Sequence, residues 1–371
     1  MGEVSYRPAW IEVDLEAIHH NINQLKQQLP EETAIFAVVK ANGYGHGDVE
    51  VAKAALAAGA SMLAVALLEE AIQLRSAGIS APILVLGWVD PSYVPTAVKH
   101  EITLTFFQKS WLDKVKQASF TGKLSLHLKL DTGMGRIGVS AKKELEELLA
   151  SIDDPRLQLT GAFTHFATAD EDDLTYYHQQ SEKWMEFQQI LQSYSSNLIL
   201  HIGNSAASMR FPKKMHDAVR FGISMYGLYP SEVVKDEHPI DLIPAMSLHT
   251  KLIHVKQVPA GSSISYGATY TTDQSEWIGT IPLGYADGIA RRLTGMDVLI
   301  EGKRMPIVGK ICMDQCMIKL DQPYDIGTRV TLIGKQFNEE ITMDQIAVRL
   351  DTINYEIACM LSDRIPRIYS K

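Results

Sequence analysis

The chain has 371 residues, 46% of them hydrophobic and 21% charged, as expected for a soluble globular protein of about two domains. Its formal net charge of −9 argues against a general binder of nucleic acid or of an anionic membrane surface, since both need basic surface. Three cysteines without a CxxC pair exclude a disulfide framework and favour a reducing, cytoplasmic compartment.

In chain order, the opening MGEVSYRPAWIEVDL has no basic n-region and no apolar h-region, so no signal peptide is expected. Short β-rich runs follow at 34–39, 61–66, 82–87, 102–107, 124–130, 157–166, 198–202 and 218–221. Helical stretches lie between most of them, at 49–58, 68–77, 110–118, 141–151 and 172–194. The longest apolar run, 54–68, spans 15 residues, short of the roughly 18–20 a membrane helix needs. Several strands are near-continuous apolar runs, the pattern of a parallel sheet covered by helices. Eight such strands predict a (β/α)8 TIM-like barrel over residues 1–240; a doubly wound open sheet is the competing count. The polar segment SEVVKDEHP at 231–239 reads as a linker. Beyond it, short strands at 248–258, 277–282, 297–300, 304–308, 316–320 and 328–333 predict a smaller, mainly β domain over 241–371. Helical signal returns there at 342–349, where Thr342 can cap, and at 355–361.

Reactive side chains of such barrels sit at the C-terminal ends of strands. Lys40 follows six apolar residues in AIFAVVKANGYGHG. It is either a desolvated amine suited to Schiff-base chemistry with an aldehyde or a lysine snorkelling from a strand end. The glycine-rich run lacks the GK[ST] of a P-loop. Asn204-Ser205 and Gly222-Ile223 open helices after the seventh and eighth strands, the usual phosphate site of a barrel. The plain alternative is helix capping by Ser205. Together with Lys40 these loops suggest a phosphorylated aldehyde cofactor, pyridoxal 5'-phosphate.

Arg220, on the eighth strand, is either half of a structural ion pair or a cation facing the pyridine nitrogen, a donor that keeps its own proton. Arg136 sits in a Gly-flanked loop where its fork suits a carboxylate. Lys129, on a strand between leucines, reads as an ordinary outward lysine. His165 and His201 lie at strand ends, His201 within reach of orienting Arg220. The 12 histidines show no HExxH spacing, so no catalytic metal is expected. In the second domain, Tyr266 in SISYGATY is a candidate base if burial near cations lowers its pKa. Cys312-Met313-Asp314 reads as a packed turn, and Tyr355 carries no signal of its own.

These residues resemble the bacterial, pyridoxal phosphate-dependent alanine racemases. AVVKANGYGHG is similar to the family's cofactor-lysine motif, and LKLDTGMGRIG, THFATAD, HIGNSAA, VRFGISMYG, SYGATY, LGYADGI and GKICMDQ also match, so the likeness spans essentially the whole chain. The resemblance implies that Lys40 carries the cofactor and that Tyr44, Ser205, Gly222, Ile223 and Tyr355 hold its phosphate, with Asn204 nearby. It implies that Arg220, supported by His201, faces the ring nitrogen and that His165 packs beside the ring. Arg136 would bond the cofactor's phenolic oxygen and contribute to the substrate carboxylate site, which the Met313 backbone would complete. Lys129 matches a position that carries a carbamate in some members, where it positions Arg136, and is served by chloride in others. Cys312 and Asp314 flank the carboxylate loop, and Tyr285 and Arg291 are candidate entrance gates. Tyr266 and Met313 would come from the partner subunit of a homodimer. Lys40 would take the proton from D-alanine and Tyr266 from L-alanine, supplying D-alanine for peptidoglycan. The competing readings are a broader amino-acid or serine racemase, a related decarboxylase, which expects an acid where Arg220 stands, and a non-catalytic cofactor carrier without the second domain.

Overall fold

The computed structural model of the chain describes residues 6–370; residues 1–5, part of the stretch read for a signal peptide, and residue 371 lie outside the described residues. The first strand, β1 (Ala9–Asp14), alternates buried and half-buried residues along AWIEVD. That period of two marks a strand buried on one face. The next eight strands differ. They are β2 (Ala34–Val38), β3 (Met62–Val65), β4 (Ile83–Val85), β5 (Ile102–Phe106), β6 (Leu124–Lys129), β7 (Leu157–Phe163), β8 (Ile199–Gly203) and β9 (Ala218–Phe221). They are buried almost throughout and pair in parallel with their sequence neighbours.

β2 also pairs in parallel with β9, with Phe36 opposite Arg220 and Ala37 opposite Phe221, which closes the barrel and excludes an open sheet. Covering helices run over Asp48–Ala57, Leu68–Ser76, Lys109–Gln117, Lys142–Ala150 and Thr175–Tyr194. A further helix, Leu15–Gln28, went unread in the sequence. Its buried Asn21 donates through Nδ2 to the backbone oxygens of Met225 (3.1 Å) and Ile243 (2.9 Å) and accepts from the Ile243 N–H (2.8 Å).

The chain divides into two compact units: Glu16–Gly43 with Asp48–Pro244, which contains the barrel, and the described residues up to Leu15 together with Tyr44–Gly47 and everything from Ala245 onward. The expected boundary at 240/241 therefore moves to 244/245. The expected linker is ordered instead: Ser231 caps a short helix, Glu232–Glu237, by accepting from the Val234 N–H at 3.3 Å, and its hydroxyl donates to the Asp170 backbone oxygen at 2.5 Å. Residues 9–14, placed in the barrel domain by the sequence reading, join the second unit because β1 hydrogen-bonds to its strands Met246–Lys251 and Arg367–Ser370.

In that unit follow β10 (Met246–Lys251), β11 (His254–Val258), β12 (Ser263–Ile264), β13 (Tyr270–Thr271), β14 (Glu276–Ile281), β15 (Asp297–Ile300), β16 (Lys303–Val308), β17 (Cys316–Leu320), β18 (Arg329–Gln336), β19 (Glu339–Ile341) and β20 (Arg367–Ser370). The sheet order is β11-β14-β17-β16-β15-β18-β10-β1-β20, with β19 on β18, and β12 pairs separately with β13. β1 runs antiparallel to β10 and parallel to β20. The single strand expected at 248–258 is broken into β10 and β11. Thr342 caps the helix Met343–Leu350 by accepting from the Gln345 N–H at 3.1 Å, and a second helix runs over Asn354–Met360.

Candidate active site

Lys40 leaves the end of β2 at the mouth of the barrel and is partly exposed. The chain then turns through four consecutive left-handed residues, Ala41 (φ 52°), Asn42 (53°), Gly43 (59°) and Tyr44 (50°). Each non-glycine residue there costs roughly 1–2 kcal/mol, and strain of this kind persists only where surrounding bonds enforce it. The bonds are present. The Glu70 carboxylate accepts from the N–H groups of Ala41 (2.6 Å), Ala66 (2.8 Å) and Leu67 (3.1 Å). Asn42 Oδ1 accepts from the Asp48 N–H at 3.1 Å, and the Gly43 N–H donates to the Val39 oxygen at 2.9 Å. Sequence reasoning missed Glu70; its only trace is an acid in the first turn of a helix.

Arg220 on β9 is 4% exposed. Its Nη1 donates to Nδ1 (2.8 Å) and the backbone oxygen (2.7 Å) of His201. Nη2 donates to the oxygens of Thr164 (2.7 Å) and Ile202 (3.2 Å) and toward His165 Nδ1 at 3.3 Å. The four Nη hydrogens are thus engaged, while Nε–H has no partner among the described residues. Burial, then the charge of Arg136, pulls Arg220 down to about 9, so it stays charged at neutral pH.

A guanidinium only donates, so His201 Nδ1 accepts and its proton sits on Nε2. Nε2 then donates to His127 Nδ1 at 2.8 Å, which places the proton of His127 on its own Nε2. Both rings are neutral: burial first and Arg220 second push His127 down to about 3 and His201 well below its ordinary value. Phe163 stacks on His201 with centroids 4.7 Å apart and lies 5.2 Å from the Arg220 guanidinium carbon. His127 belongs to the hydrogen-bonded cluster around Arg220 without any sign of it in the sequence, because a histidine between leucines in a strand looks like any core residue.

Lys129 does not point outward. It is 2% exposed, its ammonium donates to the Leu130 oxygen at 2.7 Å, and it lies 5.5 Å from the Phe163 ring centre. β6 is buried on both faces, so a residue on it has no solvent side to choose. Burial, then Arg220, holds Lys129 at about 7. Arg136 is exposed in the loop after β6 and has no hydrogen-bond partner among the described residues. That loop is shaped by Asp131, which accepts from the N–H groups of Gly133 (2.9 Å) and Gly135 (3.1 Å), and by Tyr176, which donates to the Gly133 oxygen at 2.7 Å. Burial, then Arg220, Lys129, Arg136 and Lys40 in that order, hold His165 well below its ordinary value. Four cations therefore act on one half-buried ring.

Ser205 is not the cap of its helix. Asn204 is: its Oδ1 accepts from the Ala207 N–H at 2.9 Å. Ser205 Oγ instead accepts from the Gly222 N–H at 3.0 Å, tying the loop after β8 to the loop after β9, where Ile223 begins a short 3-10 turn. The barrel mouth thus presents four cations and two loops joined through a hydroxyl, a set suited to an anionic ligand.

In the second unit Tyr44 and Tyr355 lie with ring centres 6.3 Å apart, and burial raises the Tyr44 phenol. The Tyr44–Gly47 segment is held there by Arg367, whose Nε donates to the Gly45 oxygen at 3.0 Å. Tyr266, Met313 and Tyr285 sit on three loops of this unit. The N–H groups of Tyr285 and Ala286 donate to the oxygens of Cys312 and Met313, each at 3.0 Å. The fully buried Asp287 accepts both forks of Arg7 (2.8 and 2.9 Å) and the Gly284 N–H (3.0 Å). Asp314 accepts from Arg364 at 2.7 Å rather than closing a turn on itself. Within its own chain Tyr266 is 71% exposed, Met313 53% and Tyr285 42%, so the burial invoked for Tyr266 does not come from this chain. Arg291 opens a short 3-10 turn on the surface. Among the described residues no group of three or more His, Cys, Asp or Glu is placed to hold a metal, and no helix is long and apolar enough to cross a membrane.

Family models described as "Alanine racemase, N-terminal domain" and "Alanine racemase, C-terminal domain" match residues 13–230 and 245–369. The chain is 52% identical over 365 residues to alanine racemase 1 of Bacillus subtilis (strain 168), covering 98% of this chain and 93% of the relative. It is 51% identical over 367 residues to alanine racemase of Geobacillus stearothermophilus, covering 98% and 95%. Among solved structures it is similar to the alanine racemase from Bacillus anthracis with bound L-Ala-P, at 48% identity and a TM-score of 0.97, covering 99% of this chain and 96% of that one.

Proposed function

The chain belongs to the alanine racemase family and is an isomerase of that family, and from this premise we propose that it interconverts L- and D-alanine with pyridoxal 5'-phosphate and two opposed bases. The single observation that carries the cofactor reading is the Nε–H of Arg220, a donor with no acceptor among the described residues on a guanidinium otherwise engaged and buried. An unprotonated ring nitrogen is the acceptor that fits it. The tie between Ser205 and Gly222 fits a phosphate shared by two loops.

In this reading Lys40 holds the cofactor through its amine, and Tyr44, Ser205, Gly222, Ile223 and Tyr355 serve its phosphate, with Asn204 fixing the helix behind Ser205. When bound, pyridoxal phosphate withdraws electrons from the substrate's α-carbon and makes its proton acidic. Arg220 keeps its own proton, so it leaves the ring nitrogen unprotonated and tempers that withdrawal. His201 and His127, locked in one tautomer each, keep Arg220 oriented. His165, neutral beside the Arg220 and Arg136 guanidiniums, would pack beside the ring without adding charge. Arg136, with Lys129 behind it, and the Met313 backbone take the substrate carboxylate.

A racemase must remove a proton from one face of the α-carbon and return one to the other. Lys40 takes the proton from D-alanine; Tyr266 of the partner subunit takes it from L-alanine, and each acts as acid in the reverse direction. The exposure of Tyr266, Met313 and Tyr285 on their own chain supports a homodimer in which a second copy covers them. The cellular role in this reading is cytoplasmic supply of D-alanine for peptidoglycan. Purified protein supplied with pyridoxal phosphate and L-alanine should approach equal amounts of the two enantiomers; release of carbon dioxide, or rates on serine matching those on alanine, would overturn the assignment.

A further inference from the structure

Ser265 occupies backbone angles of φ 68° and ψ −178°. That region is essentially reserved for glycine, and a residue with a Cβ held there costs about 1–3 kcal/mol. The turn that follows stays left-handed, with Gly267 at φ 74°, which glycine tolerates freely, and Ala268 at φ 46°, which is strained. Tyr266 stands between them, so its direction is set by a stretch of chain that would relax if released.

Three contacts hold it. Ser265 Oγ donates to the Lys310 backbone oxygen at 2.5 Å and lies 3.6 Å from Cys312 Sγ. Gly309 lies so close that a Cβ there would stand 2.8 Å from both the Ile264 oxygen and Ser265 Cβ. Lys310 and Cys312 lead directly into Met313. The Ser265 hydroxyl is therefore the joint between the loop that carries the phenol and the loop that carries the carboxylate-binding backbone.

We infer that Ser265 is a positioning residue for the base on the L-alanine face: its hydroxyl holds an otherwise unfavourable turn so that Tyr266 keeps one orientation relative to Met313. This rests on the reading of Tyr266 as a base. Without the hydroxyl, an alanine at 265 keeps the steric cost and loses the anchor, so the turn relaxes and the phenol moves. A glycine at 265 also loses the anchor but tolerates these angles, so it retains more of the native geometry than alanine.

Rates of racemisation alone cannot report this. L- and D-alanine are mirror images of equal free energy, so kcat/KM stays equal in the two directions for every variant. Exchange of the α-hydrogen with deuterated solvent does report it, because one base can remove a proton and return a deuteron to the same face. Initial exchange rates are measured by NMR for each enantiomer on the cofactor-loaded protein. Ser265→Ala should lower exchange into L-alanine about tenfold relative to D-alanine, since sub-ångström misplacement of a reacting group has effects of this size or larger. Gly309→Ala pushes the same turn from the opposite side and should give the same bias. In thermal melts without substrate or cofactor, Ser265→Gly should melt above Ser265→Ala.

Equal loss of exchange in both enantiomers, no loss in Ser265→Ala, or Ser265→Gly melting below Ser265→Ala would each overturn the inference. Tyr266→Phe separates the two levels. If it abolishes exchange of L-alanine while Ser265→Ala does not disturb it, only the role of Ser265 falls. If it leaves exchange of L-alanine intact, the reading of Tyr266 as a base falls, and this inference with it.

Discussion

Arg220 Nη1 donates to both the ring and the backbone of His201, at 2.8 Å and 2.7 Å, and so fixes the tautomer of His201 and of His127 behind it. The consequence is a buried cation that cannot hand its proton forward, because every group touching it through Nη accepts only. In the proposed site that arrangement would favour simple return of a proton over side reactions that need a longer-lived carbanion.

Arg220→Glu should reverse this. In the proposed cofactor site a carboxyl at 220 would supply a proton to the ring nitrogen, strengthen electron withdrawal and raise transamination per racemisation event. Racemisation should fall by roughly a hundredfold, the usual effect of removing one positioned donor from an active site. Pyruvate release measured against enantiomer conversion checks it; unchanged partitioning contradicts the role given to Arg220.

Lys129 makes stability depend on pH. Its ammonium is held at about 7, mainly by burial, against an ordinary value of 10.5. Between those values the unfolded chain binds a proton that the folded chain does not, so stability from this residue rises with pH across the window and the full penalty applies below about 7. Urea midpoints should therefore show the wild type gaining on Lys129→Met between about pH 7 and about pH 10. A gap that does not change with pH would contradict the burial of an ammonium at this position.

Glu70 reaches the turn after Lys40 through the Ala41 N–H and ties it to the loop after β3 through the N–H groups of Ala66 and Leu67. Glu70→Ala should cost roughly 1–3 kcal/mol, since it strips a charged acceptor from donors at a strained turn. Urea denaturation measures that loss. The near-visible absorbance of the cofactor-loaded protein should also weaken relative to wild type as the lysine loses its fixed base; an unchanged midpoint would show that the left-handed turn holds itself.

The barrel was legible because a parallel sheet covered by helices writes each strand as an apolar run between helical stretches. β1 was not, because six alternating residues carry little signal and their partners, β10 and β20, lie more than two hundred residues away in sequence. The direction of Lys129 was illegible for a related reason: β6 is buried on both faces, so alternation says nothing about where a lysine points. Glu70 reaches the Ala41 N–H and Asp287 the Arg7 guanidinium, partners far away in sequence, and a contact between distant segments leaves no local pattern. Tyr266 reads as a base on the condition that it is buried, and a single chain cannot bury a residue whose cover is proposed to come from another copy.

The proposed shared site makes one quantitative demand. Lys40→Ala and Tyr266→Phe proteins should each be inactive alone. After subunit exchange in equal amounts, half of the dimers are mixed, and each mixed dimer has one site with both native bases, so about one quarter of wild-type activity should return. No recovery after exchange has been demonstrated, for example by mass spectrometry of differently tagged subunits, would contradict a site in which Lys40 of one chain works with Tyr266 of the partner subunit.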